Sequence, residues 1–407
     1  MNSTVKILFI LSLITSLFAE DNFSQWRGLN RDGKYPDTNL LKKWPDGGPD
    51  LIWTATGLGE GYSSPAVTSQ GIYLTGMIEQ TGYLFALNKD GQLIWRTPYG
   101  PEWKDGHDGS RSTPTVVANR IYIMSGQGKA VCFNSADGRI VWEVDLIDVF
   151  GGRNLRWGMA ESPLVDGDRI FYTPGGQDAM MVILNRHTGK TEKIIPGNGE
   201  LSAYCSPVIV THNGNRLLIT MTEKSVIGLD AETGEYLWDQ EHDNGRGNNP
   251  NTPIYHEGHI YSVTGYGGGG QLIKLAPDGK TVEQIWTDEI LDSQIGAAML
   301  VDGYIYGSGH RNKGWHCVEW KTGNVKFTAK ELGSKGNIIL AEGLLYCYSE
   351  NGEVGLVRPN PQKFDLISSF EISQGSGPHW AHPVISNGQL YVRHGDVLQV
   401  YDINRKK

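Results

Sequence analysis

Three groups of residues in this chain have the types and spacings that chemistry uses. His379-Trp380-Ala381-His382 sets two imidazoles at i, i+3, a spacing from which a turn can aim both at one metal ion. No third ligand accompanies them. Thr264-Gly265-Tyr266 followed by Gly267 to Gly270, just ahead of the apolar run Gln271 to Leu275, has the look of a loop that wraps a phosphate. Such a loop needs a helix N-terminus behind it and, in the Walker form, a Lys-Ser/Thr pair. Neither follows, so the glycines are expected to form a flexible strand connection. Glu161 is expected to pair with Arg111 or Arg156 as a structural ion pair. Ser63-Ser64 and Ser112 stand just before prolines and read as turn residues. No nucleophile elbow or triad can be assembled, and a hydrolase or lyase would need two acid/base groups that the sequence does not nominate.

The elements that would position these residues follow from a repeat. "SSPAVTSQGIYLTG" (Ser63 to Gly76) returns as "STPTVVANRIYIMSG" (Ser112 to Gly126) and "ESPLVDGDRIFYTPG" (Glu161 to Gly175), with five looser copies after them. The eight copies lie at intervals of roughly 40 to 49 residues, the range of repeat architectures. Each copy is a small-residue entry, a short β-branched run, a Gly/Asn/Asp turn and an alternating strand, which is hairpin patterning at period 2. A second half recurs as "CFNSADGRIVW" (Cys132 to Trp142), "GLDAETGEYLW" (Gly228 to Trp238) and "CVEWKTGNVKF" (Cys317 to Phe327). Asp-Gly or Thr-Gly supplies the positive φ of a tight turn, and the following Trp is expected to pack against the next blade. Four strands in each of eight repeats predict an all-β, eight-bladed propeller. The last copy lacks an outer strand, and "DLIWTA" (Asp50 to Ala55) is expected to complete it and close the ring.

The Asp-x-x-Thr-Gly-x-x-x-Trp pattern resembles the pyrroloquinoline quinone (PQQ) repeat of quinoprotein alcohol dehydrogenases and of outer-membrane assembly lipoproteins. Together with "WRGLNRDG" (Trp26 to Gly33) and "GEGYSSP", it makes the chain similar to exported PQQ-binding-like propeller repeat proteins over essentially its whole mature length. Some copies are degenerate, the third having Lys193 where Trp would stand. For a dehydrogenase the resemblance implies a vicinal Cys-Cys disulfide against the quinone, Ca²⁺ held by Glu and Asn, and a catalytic Asp. No two of Cys132, Cys205, Cys317 and Cys347 are adjacent, and buried, unreactive thiols are expected. Only Cys317 and Cys347 fall in neighbouring blades, so at most one bridge is feasible.

The remaining reading is a binding scaffold. Loops that enter the innermost strands crowd around the channel mouth of a propeller. Here they bring Tyr62, Arg111, Arg156, Trp157, Glu161, Tyr204, Asn249, Asn251, Gln294, His379, Trp380 and His382 to one funnel, with Glu60, His107 and Lys335. Aromatic faces mixed with arginine and amides suit a polar ligand or a partner protein. No cofactor is expected; PQQ with Ca²⁺ belongs to the alternative, a dehydrogenase-like oxidoreductase. The formal charge of −9, without a basic tract beyond Arg405-Lys406-Lys407, speaks against nucleic acid. Lys6, the apolar run Ile7 to Phe18 and Ala19 form a signal peptide over residues 1–19. It is too short to span a bilayer of ~30 Å. No cysteine near it indicates a lipid anchor. A periplasmic or secreted monomer, one domain over residues 20–407, is therefore expected. "QWRGLNRDG" is expected to fold back over the ring with Trp26 buried and Arg27 or Arg31 paired to carboxylates.

Overall fold

The computed structural model describes residues 22–296 and 298–406; the signal-peptide segment lies outside them. Eight antiparallel sheets follow one another around a central channel. Blade 1 is typical, with strands Ala66–Val67, Ile72–Ile78, Thr81–Leu87 and Leu93–Pro101 running from the channel outward. The innermost strands of blades 2 to 8 are Thr115–Val117, Leu164–Asp166, Val208–His212, Ile254–His256, Met299–Val301, Gly336–Ala341 and Val384–Ser386. Asp50–Ala55 pairs antiparallel with Val397–Asp402 and supplies the outer strand of blade 8, so the ring closes as the repeat pattern requires. One short helix, Leu146–Phe150, is capped by Asp145 and follows blade 2. No helix among the described residues is long and apolar enough to cross a membrane.

Each blade interface holds its own apolar cluster, eight in all among the described residues, as in the pairing of Tyr122 and Cys132 with Tyr172 and Leu184 between blades 2 and 3. The outer-strand tryptophans add a fixed joint. Trp142 lies over the turn glycine Gly189 of the next blade and donates from Nε1 to the Arg186 carbonyl at 2.9 Å. Trp53 does the same over Gly91, and Trp286 over Gly323, donating to the carbonyls of Lys89 and Trp320. At Gly189 an added Cβ would stand 2.8 Å from the indole and φ is +70°, so two independent constraints demand glycine there. In blade 3 Lys193 takes the tryptophan's place. Its methylenes cover Gly234 and its ammonium donates to the Thr233 carbonyl.

The prolines of the repeat mark a second joint, around the channel. Thr113 Oγ1 accepts the Ser64 N–H at 2.9 Å, Ser162 Oγ accepts the Thr113 N–H at 3.0 Å, and Ser206 Oγ accepts the Ser162 N–H at 3.0 Å. The residues before each proline are therefore links from blade to blade, not merely turn formers.

The N-terminal segment crosses the channel and bonds the strand-entry residues. Phe23–Ser24 adds an antiparallel strand to the inner edge of blade 2, and Lys34–Tyr35 adds a parallel one to blade 7. Between them Arg27 and Arg31 are fully buried in the channel. The carboxylate pairing expected for them is not what holds them. Arg27 donates to the carbonyls of Ile338 and Asp32, and Arg31 to those of Ser162 and Pro163. Trp26 is half-buried rather than buried, because one side of its ring faces the funnel. All four cysteines are buried free thiols, Cys317 and Cys347 included. Burial pushes Cys132 and Cys317 up to about 12 and Cys205 to about 11.

Candidate functional site

With the channel stopped by the N-terminal segment, the inner-strand loops enclose a blind pocket of ≈ 450 Å³. Its walls carry Tyr62, Arg111, Trp157, Tyr204, Gln294, Trp380 and His382 from the set expected by sequence, with His107 and Lys335. Trp26 makes the floor. Its Nε1 donates to Thr252 Oγ1 at 3.2 Å, and its ring meets His382 edge-on at 4.4 Å.

His382 stands at the same repeat position as Ser64, Thr113 and Ser162, which is why it is locked. Its Nε2 lies 3.1 Å from the Ile295 carbonyl and its Nδ1 3.2 Å from the Arg27 guanidinium, an arrangement that fits a proton on Nε2. Burial, helped by the Arg27 charge, holds its pKa well below the usual histidine range. His379 does not join it. That ring stacks on His394 at 3.6 Å and bonds Tyr348 at 2.6 Å, so the two imidazoles of the His-Trp-Ala-His sequence serve different partners. Burial and the neighbouring His394 lower His379 to about 4.

Three more expected residues sit behind the wall. Glu161 is 1 % exposed and meets neither Arg111 nor Arg156; the charge beside it is Arg31. Its repeat position is the one filled by the buried Ser63, Ser112 and Asn251, and burial raises its pKa to about 8. Asn249 donates to the carbonyls of Thr222 and Glu223, and Asn251 to those of Val263 and Ser293. Arg156 is exposed on the rim, with its guanidinium 5.1 Å from the Trp157 ring.

The sequence reading missed Trp26, Tyr266, Asn248, His310 and Glu350. Tyr266 comes from the four-glycine segment, which is therefore more than a connection. It adopts φ +57° and stacks on Trp157 at 5.9 Å and 12°. Gly267 approaches the Arg311 side chain, where a Cβ would stand at 2.8 Å, and its N–H donates to Asp292. Tight backbone approach fixes the turn that presents Tyr266. A tyrosine inside a glycine run, unexplained by the repeat, was the available signal.

The electrostatics are simple. Among the described wall residues Glu350 is the one carboxylate, and it is engaged: Lys335 Nζ lies 3.1 Å away and Trp380 Nε1 donates to it at 2.7 Å. Arg111 donates to the Gly109 and His107 carbonyls and lies 5.7 Å from the Tyr62 ring. Burial lowers its pKa. His107 and His310 are lowered by burial first, then by Arg111 and Lys335 respectively. Burial raises Tyr204 to about 12. The pocket thus offers aromatic faces, fixed cations, amides and the imidazoles of His107 and His310, and the one carboxylate among its described wall residues is engaged.

Comparison with known proteins accords with the fold. The outer membrane protein assembly factor BamB of Kangiella koreensis is 27% identical over 210 residues, 50% of this chain and 49% of that protein, so the chain spans about half the length of that relative. The crystal structure of BamB from Moraxella catarrhalis superposes with TM-score 0.62 at 15% identity, covering 87% of this chain and 99% of that one. Quinohemoprotein alcohol dehydrogenase from Comamonas testosteroni superposes with TM-score 0.66 at 10% identity over 95% and 81%, a likeness of fold alone. The family profile described as outer membrane protein assembly factor BamB matches residues 80–291 and 208–364, and the chain belongs to that PQQ-repeat family.

Proposed function

We propose that this protein is a non-catalytic scaffold of the cell envelope that docks a partner protein through the funnel. The observation that supports this reading is the composition of the blind pocket. Six aromatic rings, Trp26, Tyr62, Trp157, Tyr204, Tyr266 and Trp380, surround fixed cations, while the one carboxylate of the wall is bound by Lys335 and Trp380. Such a surface favours association over proton transfer. The family description, outer membrane protein assembly factor, makes other assembly components the partner class to test. The leader over residues 1–19 would deliver the remainder, one domain over 20–407, to the periplasm or the exterior as a monomer.

The second reading, a quinone-dependent dehydrogenase, does not suit the residues present. Ca²⁺ takes six to eight oxygen ligands, carboxylates foremost. Glu350 is already paired with an ammonium, and Asp292 accepts backbone N–H bonds from Gly267, His310 and Arg311. The thiols are separated and buried.

The test is a photocrosslinking amino acid placed in living cells at position 157, on the funnel wall, and at position 190, on the remote turn of blade 3. Docking through the funnel gives adducts with outer-membrane assembly proteins from position 157 only. Adducts from position 190 alone would reject the reading.

A further inference from the structure

Many arginines of this protein are engaged by partners, Arg27, Arg31 and Arg393 by backbone carbonyls. Arg169, Arg186, Arg216 and Arg358 are paired with carboxylates. Around the funnel, Arg111, Arg156 and Arg246 belong to no ion pair among the described residues. Each lies instead over an aromatic ring of the wall: Arg111 over Tyr62 at 5.7 Å, Arg156 over Trp157 at 5.1 Å, Arg246 over Tyr266 at 4.9 Å. Three blades thus present an arginine laid on an aromatic face; Arg111 spends its donors on the Gly109 and His107 carbonyls, whereas the exposed Arg156 and Arg246 make no side-chain hydrogen bond among the described residues. In a chain of formal charge −9, two unpaired, exposed guanidiniums, Arg156 and Arg246, thus stand beside the aromatic wall.

A second observation points to a peptide in particular. Asn248 is 7% exposed and lines the pocket, yet its Oδ1 has no hydrogen-bond partner. Gln294 Nε2, also unpartnered, belongs to the same patch of wall, since both side chains flank Gly265. A buried polar atom without a partner is costly. An unfilled acceptor and an unfilled donor in one stretch of wall match the C=O and N–H of a peptide group once the two amides, whose unpartnered atoms lie beneath the surface, turn outward on binding. A phosphate offers acceptors only.

We propose that the funnel binds an acidic peptide segment that carries an aromatic side chain. Its carboxylates meet Arg156 and Arg246, a main-chain amide bonds Asn248 and Gln294 as these turn outward, and the aromatic ring enters the blind pocket above Trp26. The inference rests on the docking reading above and names its occupant.

The experiment is selection of a displayed random heptapeptide library on the full mature protein, followed by calorimetry with the most enriched peptide. Enrichment of peptides that combine net negative charge with an aromatic residue is expected. The Arg156→Gln/Arg246→Gln variant, whose sites are exposed, should weaken that peptide at least tenfold with an unchanged melting temperature. Enrichment of neutral or basic peptides whose binding is lost in Trp157→Ala overturns the acidic occupant but leaves funnel docking standing. Peptides indifferent to Trp157→Ala overturn both. Displacement of the peptide by inorganic phosphate at equal concentration would mean a general anion site, and would also overturn the proposal.

Discussion

Replacing Glu161 by Gln should stabilise the protein, and by an amount that grows with pH. The carboxyl is fully buried beside Arg31, with Cys205 and Tyr172 near it, and its Oε1 has no hydrogen-bond partner. Burial raises its pKa from the ordinary 4.5 to about 8, against the partial pull of Arg31. Below about pH 4.5 the folded and unfolded chains both hold the proton, and the residue is neutral to stability. Between about pH 4.5 and 8 the unfolded chain releases it while the folded chain keeps it, so stability falls as pH rises. At 1.36 kcal/mol per pH unit, the loss reaches about 3 kcal/mol at pH 7. Glutamine keeps the shape and cannot ionise. With an unfolding entropy of ~2.1 cal/mol/K per residue over roughly 390 residues, 3 kcal/mol corresponds to a rise of about 4 °C in Tm. The assay is a paired thermal scan of wild type and Glu161→Gln from about pH 5 to 8, in which other titrations cancel in the difference. A difference that is flat with pH, or that shrinks toward pH 8, refutes the argument.

The other predictions concern the joints. Trp142→Ala should cost about 3–5 kcal/mol in urea unfolding, since it removes a buried indole and uncovers Gly189; Lys193→Ala, at the same repeat position but exposed, should cost no more than about 1 kcal/mol. Equal costs would mean the tryptophan joint contributes nothing special. Arg393 is fully buried at the seam between blades 8 and 1 and donates to the carbonyls of Gly59, Ser63, Thr75 and Gly395. Arg393→Met strands those acceptors at about 1–3 kcal/mol each, so a measured loss below about 1 kcal/mol would contradict the role of that seam. Trp26→Ala should lower stability by about 2 kcal/mol, less than for a fully buried indole, and leave the mature protein exported. An unaltered melting temperature would show that the N-terminal segment is not anchored through its indole.

How much of this was legible depended on whether a residue obeyed the repeat. The tryptophan joint, the closing strand Asp50–Ala55 and the blade count all follow from copies that can be compared within one chain. The buried position of Glu161 was legible in principle, because Ser63, Ser112 and Asn251 occupy it in other copies. Taking it for a funnel residue ignored that alignment in favour of its charge. Asn249 failed for a different reason: its loop does reach the mouth, but the side chain turns back to cap the carbonyls of Thr222 and Glu223. Loop membership specifies a neighbourhood, whereas side-chain direction depends on which carbonyls are left unpaired.

The N-terminal segment and the funnel are one design problem, and this is where a periodic sequence is least informative. A propeller ring leaves a channel whose wall is eight copies of the same short strand, and equal copies cannot make a floor. The floor comes from outside the repeat: Trp26 donates to the Thr252 hydroxyl, and Arg27 and Arg31 donate to the channel carbonyls of Ile338 and Pro163. Those carbonyls are available because the inner strands show an unpaired edge to the channel. His382 replaces the hydroxyl of blades 1 to 4 at the one place where Arg27 needs an acceptor. The departures from the repeat therefore collect where the ring is stopped and where its mouth is lined, and a break in periodicity is a better guide to the binding surface than the charge of any single residue.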